Sequence, residues 1–499
     1  MDRRPSYLFM AVLLIALSLL SFTAGAAVQA SSHFESNEKV YQYLRPFIEA
    51  LTIIKQNYVN VKKTKTRRLI YGAIAGMVST LDRFSQFMTP QEYQAMQTET
   101  SGKFGGLGIE ISLKNNRLTV IAPISGTPAA KAGIQAGDVI AKIGNQFTDH
   151  MSIDQAVKLL RGKVGTKITI EVERHGIHHL IPFTITRAYI KIQSVKAYLL
   201  PHDIGYVHIS EFIARTTHDF KQALKKLEKG RKLKGLILDL RNDPGGLLTE
   251  AVGVGNVFVP AGKMIVSTRG RSQEDDEQFK AIQGFKFAGA PVVCLVNGGS
   301  ASGAEIVSGA LKDWKLATLL GERTFGKGTV QTILPLDSSG GAALRLTMAK
   351  YYTPSGVCIN RIGIEPNVPL KEPDLTDSTM TAFQNNDVEK FARMLEKEKL
   401  PVTLSMKISN RLLQQLYTFC MKHGKDMHRS DLEKNSEYFK ESLFLDLVEN
   451  KMGEKVAARE TVLIDPQVKD AEKIILNHGK VPKSIVALEV RSTPSPVTP

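Results

Sequence analysis

An α/β fold of mixed α+β composition is what this 499-residue chain predicts: a strand–helix core, a β-rich insertion ahead of it, and helical N- and C-terminal regions. Three observations carry that expectation. Between residues 190 and 369, short apolar runs such as Gly235–Leu240 and Val292–Val296 alternate with amphipathic stretches, the pattern of buried strands separated by helices. Residues 101–187 instead combine glycine turns with apolar–polar alternation, as half-buried strands do. Outside these two regions, apolar residues recur at three- to four-residue spacing, the helical period.

In chain order, Asp2-Arg3-Arg4 precedes an almost uninterrupted apolar run from Tyr7 to Phe22, followed by the small-residue sites Ala24-Gly25-Ala26 and Val28-Gln29-Ala30. Residues 1–30 therefore read as a secretory signal peptide, with an apolar core short for a spanning helix. An uncleaved anchor is the alternative, so the expected location is periplasmic or otherwise extracytoplasmic, membrane-associated if the segment stays. Residues 31–100 form a helical region, with Tyr43, Phe47, Leu51 and Ile54, then Ile70, Ile74, Met77, Val78 and Leu81, at helical spacing. Pro90 is expected to end it.

The β-rich unit, residues 101–187, opens with Phe104-Gly105-Gly106-Leu107-Gly108 and the alternating strand Ile109–Leu113. Asn115-Asn116 makes a turn to a second strand at Leu118–Ile121. Pro128–Ile134 holds a short helix closed by Gly133, and Gly137-Asp138-Val139-Ile140 begins another strand. Ser152 caps a helix carrying Ile153, Ala156, Val157 and Leu160 on one face, and Lys167–Glu173 is again a strand. This order resembles a PDZ domain of the bacterial type. Such a domain adds a peptide strand to a sheet edge and holds its terminal carboxylate on backbone N–H groups. By that resemblance Gly106, Leu107, Gly108 and Ile109 form the substrate-binding carboxylate loop, and the partners are proteins with accessible C-terminal tails.

Residues 188–370 are the core, with strands at Ile204–Ile209, Gly235–Leu240, Val292–Val296, Leu316–Leu320 and Thr329–Leu334. Helices are expected at Asp219–Leu227, Thr249–Phe258 and Ala304–Leu311. Residues 371–499 start with a polar, proline-containing linker and continue as charged amphipathic helices, notably Ile408–Met421 and Leu432–Met452. Ser492–Pro499 is a Ser/Thr/Pro-rich tail. The helical regions at both ends suit homo-oligomerisation or an adaptor.

The formal charge of +16 would permit a nucleic-acid partner, but Lys and Arg are scattered and interleaved aromatics are absent, so none is expected. Cys294, Cys358 and Cys420 cannot all pair in one chain, and no metal-ligand spacing occurs, so neither metal nor cofactor is expected.

The chemistry concentrates in Gly298-Gly299-Ser300-Ala301-Ser302-Gly303-Ala304-Glu305 and Phe325-Gly326-Lys327-Gly328. Ser302 lies between a buried strand and a helix, among residues small enough for a substrate backbone to approach. No histidine occurs between His218 and His423, whereas a desolvated lysine can serve a serine as base. Gly303, at the helix N-terminus, offers an N–H to developing negative charge. Gly245 and Gly246, in the turn Asp243-Pro244-Gly245-Gly246, offer further donors. Gln331 follows Lys327 at i+4, and strand periodicity would point Lys327, Thr329 and Gln331 one way. Gly321–Lys327 satisfies most of a phosphate-binding loop, but Gly328 stands where Ser or Thr must hold Mg²⁺, and a β-branched run follows.

Together these pieces resemble the C-terminal processing peptidases, or tail-specific proteases, from about residue 31 to Pro369. The specific matches are Asp239-Leu240-Arg241-Asn242-Asp243-Pro244-Gly245-Gly246, the Ser302 and Lys327 motifs, Tyr351-Tyr352-Thr353-Pro354-Ser355-Gly356 and Gly363-Ile364-Glu365-Pro366. The resemblance implies a serine endopeptidase with Ser302, Lys327 and Gln331 as its catalytic set and the Gly303 and Pro-Gly-Gly amides as its oxyanion hole. The family commonly carries Asn where Asp243 stands, Ala-Ser where Gly303-Ala304 stand, and Leu-Asp-Pro where Leu81-Asp82-Arg83 stand. A scaffold that binds tails through its PDZ unit without turnover is the competing class.

Overall fold

The computed structural model describes residues 37–485 apart from 115–116, 125, 136, 175, 178, 338–339, 372–374 and 423–427. The signal segment, the Asn115-Asn116 turn and the tail at 492–499 thus lie outside the described residues. Two compact units divide the chain after Phe87. The first holds α1 (Asn37–Asn57) and α2 (Thr66–Ser79), as the helical spacing predicts. The apolar stripe of α1 is not a core face, however: Tyr43 is 72% exposed and Phe47 38%.

The second unit begins with α3 (Pro90–Thr100), so Pro90 opens a helix as well as following the end of the segment before it. Proline at the first helical position loses nothing, because that N–H has no helical partner. Thr89 caps the helix reciprocally with Glu92, at 3.3 and 2.8 Å.

The β-rich unit follows. Strand β1 (Lys103–Gly106) pairs antiparallel with β7 (Ala188–Lys191). Between them β2 (Ile109–Lys114), β3 (Arg117–Pro123), β4 (Val139–Ile143), β5 (Lys167–Glu173) and β6 (Ile181–Thr186) form an antiparallel sheet in that spatial order. Helices α4 (Pro128–Ala132) and α5 (Ile153–Leu160) complete it. Alternate residues Leu118 and Val120, and Ile170 and Val172, with Ile140 and Ile143 on either side of a bulge in β4, bury against Ala156 and Leu160 of α5. Strand β2 is an edge, paired on one side with β3.

In the core, β8 (Val195–Leu200), β9 (Ile204–Ile209), β10 (Gly235–Asp239), β13 (Val292–Val296), β14 (Thr318–Gly321) and β17 (Val368–Pro369) lie side by side. All neighbours pair parallel except β8 with β9. Strands β11 (Met264–Arg269), β12 (Glu277–Lys280), β15 (Thr329–Pro335) and β16 (Ala343–Tyr352) pair antiparallel in a second layer. A parallel sheet must be covered on both faces. On one face Leu236, Leu238 and Cys294 pack with α6 (Thr216–Glu228), α7 (Leu248–Gly255) and α8 (Gly303–Asp313). On the other, Ile237, Val293, Leu295 and Leu320 meet Val468, Ala471, Ile474 and Ile475.

Those last residues belong to the C-terminal region, so one of its helices is a wall of the core. The region runs α9 (Asp377–Gln384), α10 (Asp387–Lys397), α11 (Asn410–Lys422), α12 (Arg429–Lys434), α13 (Ser436–Met452), α14 (Glu454–Ile464) and α15 (Pro466–Leu476). Phe391, Leu416, Phe439, Leu443 and Leu447 centre a separate helical core, while α15 leaves it for the sheet. Each fully buried Leu or Ile there contributes about 1.5–3 kcal/mol. Among the described residues no helix is long and apolar enough to cross a membrane.

Candidate active site

The site forms where β10 and β13 end, because loops leaving the C-terminal ends of adjacent parallel strands open onto one crevice. Asn297 stitches the two loops. Its Oδ1 accepts from the N–H groups of Asn242 (2.9 Å) and Gly299 (3.0 Å), and its Nδ2 donates to Asn242 Oδ1 (3.0 Å). Ser300 Oγ donates to the Leu240 carbonyl at 2.7 Å, and Ala301 N–H to the Asp243 carbonyl at 2.8 Å.

Ser302 follows at the cap of α8, 5% exposed, with φ 50° and ψ −106°. A non-glycine residue in that region is strained and persists only where its surroundings over-determine it. Here Glu305 does so. Its buried carboxylate accepts from Ser302 N–H (2.8 Å), Thr324 Oγ1 (2.5 Å), Gly326 N–H (2.7 Å) and Lys327 N–H (2.9 Å). One oxygen, Oε2, serves both Ser302 and Lys327. The two motifs, separated in sequence, are thereby held within two hydrogen bonds of each other. Burial raises the Glu305 carboxyl above the usual range, and these four donors oppose the rise. Its role was not anticipated, although Ser302-x-x-Glu305 has the spacing of a capping box.

The half-buried Lys327 is shifted toward its neutral form, first by burial and next by the charge of Arg345, with Glu305 opposing. Tyr351 of β16 also reaches the site. Burial pushes its phenol up to about 12, and hydrogen bonding with the Ser302 side chain opposes the shift. The family match at Tyr351–Gly356 gives this neighbour no role: Tyr351 arrives through the hydrogen bond of its N–H to the Gly328 carbonyl, at 2.8 Å.

Strand periodicity covers Gln331 but stops short of Lys327. Strand β15 starts at Thr329, so Lys327 precedes it and the even-spacing argument covers only Thr329 and Gln331. Those two do share a face: Gln331 Nε2 donates to Thr329 Oγ1 at 2.8 Å, and to Thr347 Oγ1 across the hairpin at 3.2 Å. The run after Lys327 is a strand rather than the helix a phosphate loop requires.

Of the three expected oxyanion donors, Gly303 begins α8, where first-turn N–H groups lack helical partners. Gly245, with φ 93°, approaches so closely that an added Cβ would lie 2.6 Å from the Gly303 nitrogen and 2.7 Å from Ser302 Cβ. Its own N–H, however, is turned onto Asp243 Oδ1 at 2.8 Å, which corrects its assignment as an oxyanion donor in this conformation. The Gly246 backbone, with φ 144°, lies against the Phe212 carbonyl, where a Cβ would be 2.2 Å away.

In the β-rich unit, Gly106, Leu107, Gly108 and Ile109 lead into the edge strand β2, with α5 packed against it. Leu107 is 2% exposed and its side chain belongs to the unit's core. The Gly108 carbonyl accepts from Ile124 N–H (2.9 Å) and Thr127 Oγ1 (3.0 Å), which fixes the loop. Unpaired backbone along β2 is the means by which such an edge takes an extra strand.

Comparison with known proteins agrees with both parts. The family model "Peptidase family S41" matches residues 203–370, and a PDZ domain model matches 119–174. The carboxy-terminal-processing protease of Bartonella bacilliformis is 42% identical over 355 residues, covering 70% of this chain and 80% of that one. The carboxy-terminal processing protease CtpA of Bacillus subtilis is 35% identical over 384 residues, covering 74% and 78%. A solved photosystem II D1 C-terminal processing protease aligns at 31% identity over 66% of this chain and 93% of that one, with a TM-score of 0.39.

Proposed function

The chain belongs to peptidase family S41 as a C-terminal processing serine protease with a PDZ domain, and on that premise we propose that Ser302 is its nucleophile and Lys327 its general base. The observation that carries this reading is the shared Glu305 carboxylate, which ties the backbone of both residues to one point beside the strained Ser302. Lys327, shifted toward its neutral form by burial, takes the Ser302 proton as Oγ attacks the peptide carbonyl, then delivers it to the leaving amine. Water resolves the acyl-enzyme by the reverse transfers. The Gly303 N–H, backed by the Gly245–Gly246 turn, receives the oxyanion. Gln331, whose amide lies on Thr329 and Thr347, orients the Lys327 amine.

Substrates are proteins whose C-terminal tails add to β2, the carboxylate resting on the Gly106–Ile109 loop. The protein acts outside the cytoplasm, residues 1–30 directing export, and the helical terminal regions supply a homo-oligomer or adaptor contact.

The test is cleavage of an unfolded protein with a free apolar C-terminus. Ser302→Ala and Lys327→Ala should each lower turnover by on the order of 10⁴-fold or more. Amidating the substrate C-terminus should slow the wild type. Undiminished cleavage by either variant would sink the assignment, and tail binding by a wild type that never cleaves would leave a scaffold.

A further inference from the structure

Asp243 sits behind the site in a setting that no catalytic role yet explains. It is fully buried, at 0% exposure. One oxygen, Oδ1, accepts from Gly245 N–H at 2.8 Å, and the other, Oδ2, has no hydrogen-bond partner. Its carbonyl accepts from Ala301 N–H at 2.8 Å, so the residue belongs to the backbone that carries Ser302. An ionised carboxylate with an unsolvated, unpartnered oxygen is among the costliest groups to bury. A neutral acid in the same place costs far less and offers an O–H.

The surrounding charges do not relieve it. Glu211, on the loop after β9, is a second carboxylate and acts against ionisation. Arg241 is turned away to Asp239 and Asp465, at 2.6 and 2.7 Å. On α8, Glu305 is committed to Ser302 and the Lys327 loop, and on the loop after β13 Asn297 and Ser300 are neutral. Burial first, and Glu211 after it, push the Asp243 carboxyl up to about 8, with the Gly245 N–H opposing.

We propose that Asp243 is a positioning residue that supports the Gly245 turn behind the Gly303 oxyanion donor only while it is protonated. Neutral, it holds Gly245 against Gly303 and Ser302 without adding charge. Ionised, it places a negative charge behind the turn that packs on Gly303, where the tetrahedral oxyanion must form and low dielectric magnifies the repulsion. No bond to Asp243 is made or broken; one proton leaves it as pH rises. Catalysis then needs Lys327 without its proton and Asp243 with one, which gives a bell-shaped profile whose alkaline limb belongs to Asp243.

The inference rests on the serine–lysine reading, so both are tested together. We would measure kcat/KM on an unfolded substrate with a free apolar C-terminus from pH 6 to 10, for wild type, Asp243→Asn, Ser302→Ala and Lys327→Ala. Asn keeps the acceptor for Gly245 N–H and cannot ionise. The wild type should fall beyond about pH 8. The ratio of Asp243→Asn to wild type should rise about tenfold for each further pH unit. Labelling of Ser302 by a fluorophosphonate should show the same divergence without involving tail binding. Superimposable profiles would overturn the proposal. So would a wild type that keeps rising to pH 10, a result that does not depend on the variant folding. Activity surviving in Ser302→Ala or Lys327→Ala would instead strike the serine–lysine assignment itself.

Discussion

Asp239 and Asp243 leave the end of the same strand four residues apart, both buried, and meet opposite fates. Asp239 accepts from Tyr206 Oη at 2.7 Å and from the Arg241 guanidinium at 2.6–3.2 Å, and Arg241 continues to Asp465 at 2.7 Å. Burial works to raise its carboxyl, but Arg241, with His208 and Tyr206, holds it below the usual carboxylate range. Asp243 has one N–H and no cation, and its carboxyl goes up. Burial alone therefore does not set the charge of a carboxylate here; the number and sign of its partners do. The Asp239 strut locks β10 to the C-terminal region, whereas the Asp243 turn lies beside the nucleophile.

Removing the cation from the paired side is the most disruptive way to break this contrast. Arg241→Ala strands Asp239 and Asp465 and should cost about 3–5 kcal/mol of stability, read by urea or thermal unfolding. A loss under 1 kcal/mol would mean that the strut is not the lock described. Next in size is Glu305→Gln, which keeps volume but cannot accept from four donors equally. It should lower kcat by about 10²-fold through misplacement of Ser302 and Lys327, with KM little changed. A change in KM alone would contradict that role.

Stability against pH sharpens the comparison, because the two aspartates have opposite signs. The folded Asp243 binds a proton that the unfolded chain has already released between about pH 4 and pH 8, so its ionisation penalty grows with pH across that window. Asp243→Asn should therefore gain on the wild type as pH rises, by about 1–2 kcal/mol between pH 6 and 7.5. Asp239, held low, stabilises above its unfolded value and loses that contribution in acid, so the cost of Asp239→Asn should shrink as pH falls. Parallel pH trends in the two variants would remove the distinction. The smallest effect belongs to the exposed Arg117–Glu173 pair across the PDZ sheet. Glu173→Gln should change stability by less than about 1 kcal/mol, and a larger loss would show that exposure does not screen it.

Local pattern made much of this molecule legible. The apolar runs at Gly235–Leu240 and Val292–Val296 are strands buried on two faces, and neighbouring residues do alternate between the two cores. Glycine and small residues around Ser302 announced a close backbone approach, which Gly245 makes. The helical segment does end before Pro90, and the helix that Pro90 begins went unseen because a proline that cannot continue a helix can equally begin one. Period-two reasoning holds only inside a strand, so it relates Thr329 to Gln331 but does not reach Lys327, which precedes the strand.

Sequence by itself determined the element types, the PDZ-plus-core order and the two motifs bearing Ser302 and Lys327, because each rests on residues within a few positions of one another. Tertiary structure alone decided that Glu305 joins those motifs, that α15 closes the second face of the sheet, and that Asp465 completes the Arg241 strut, 224 residues away in the chain. It also decided which of two neighbouring aspartates faces a guanidinium and which has a single N–H. Charge in an interior is set by donors, cations and solvent converging from distant segments, and no local spacing encodes that convergence.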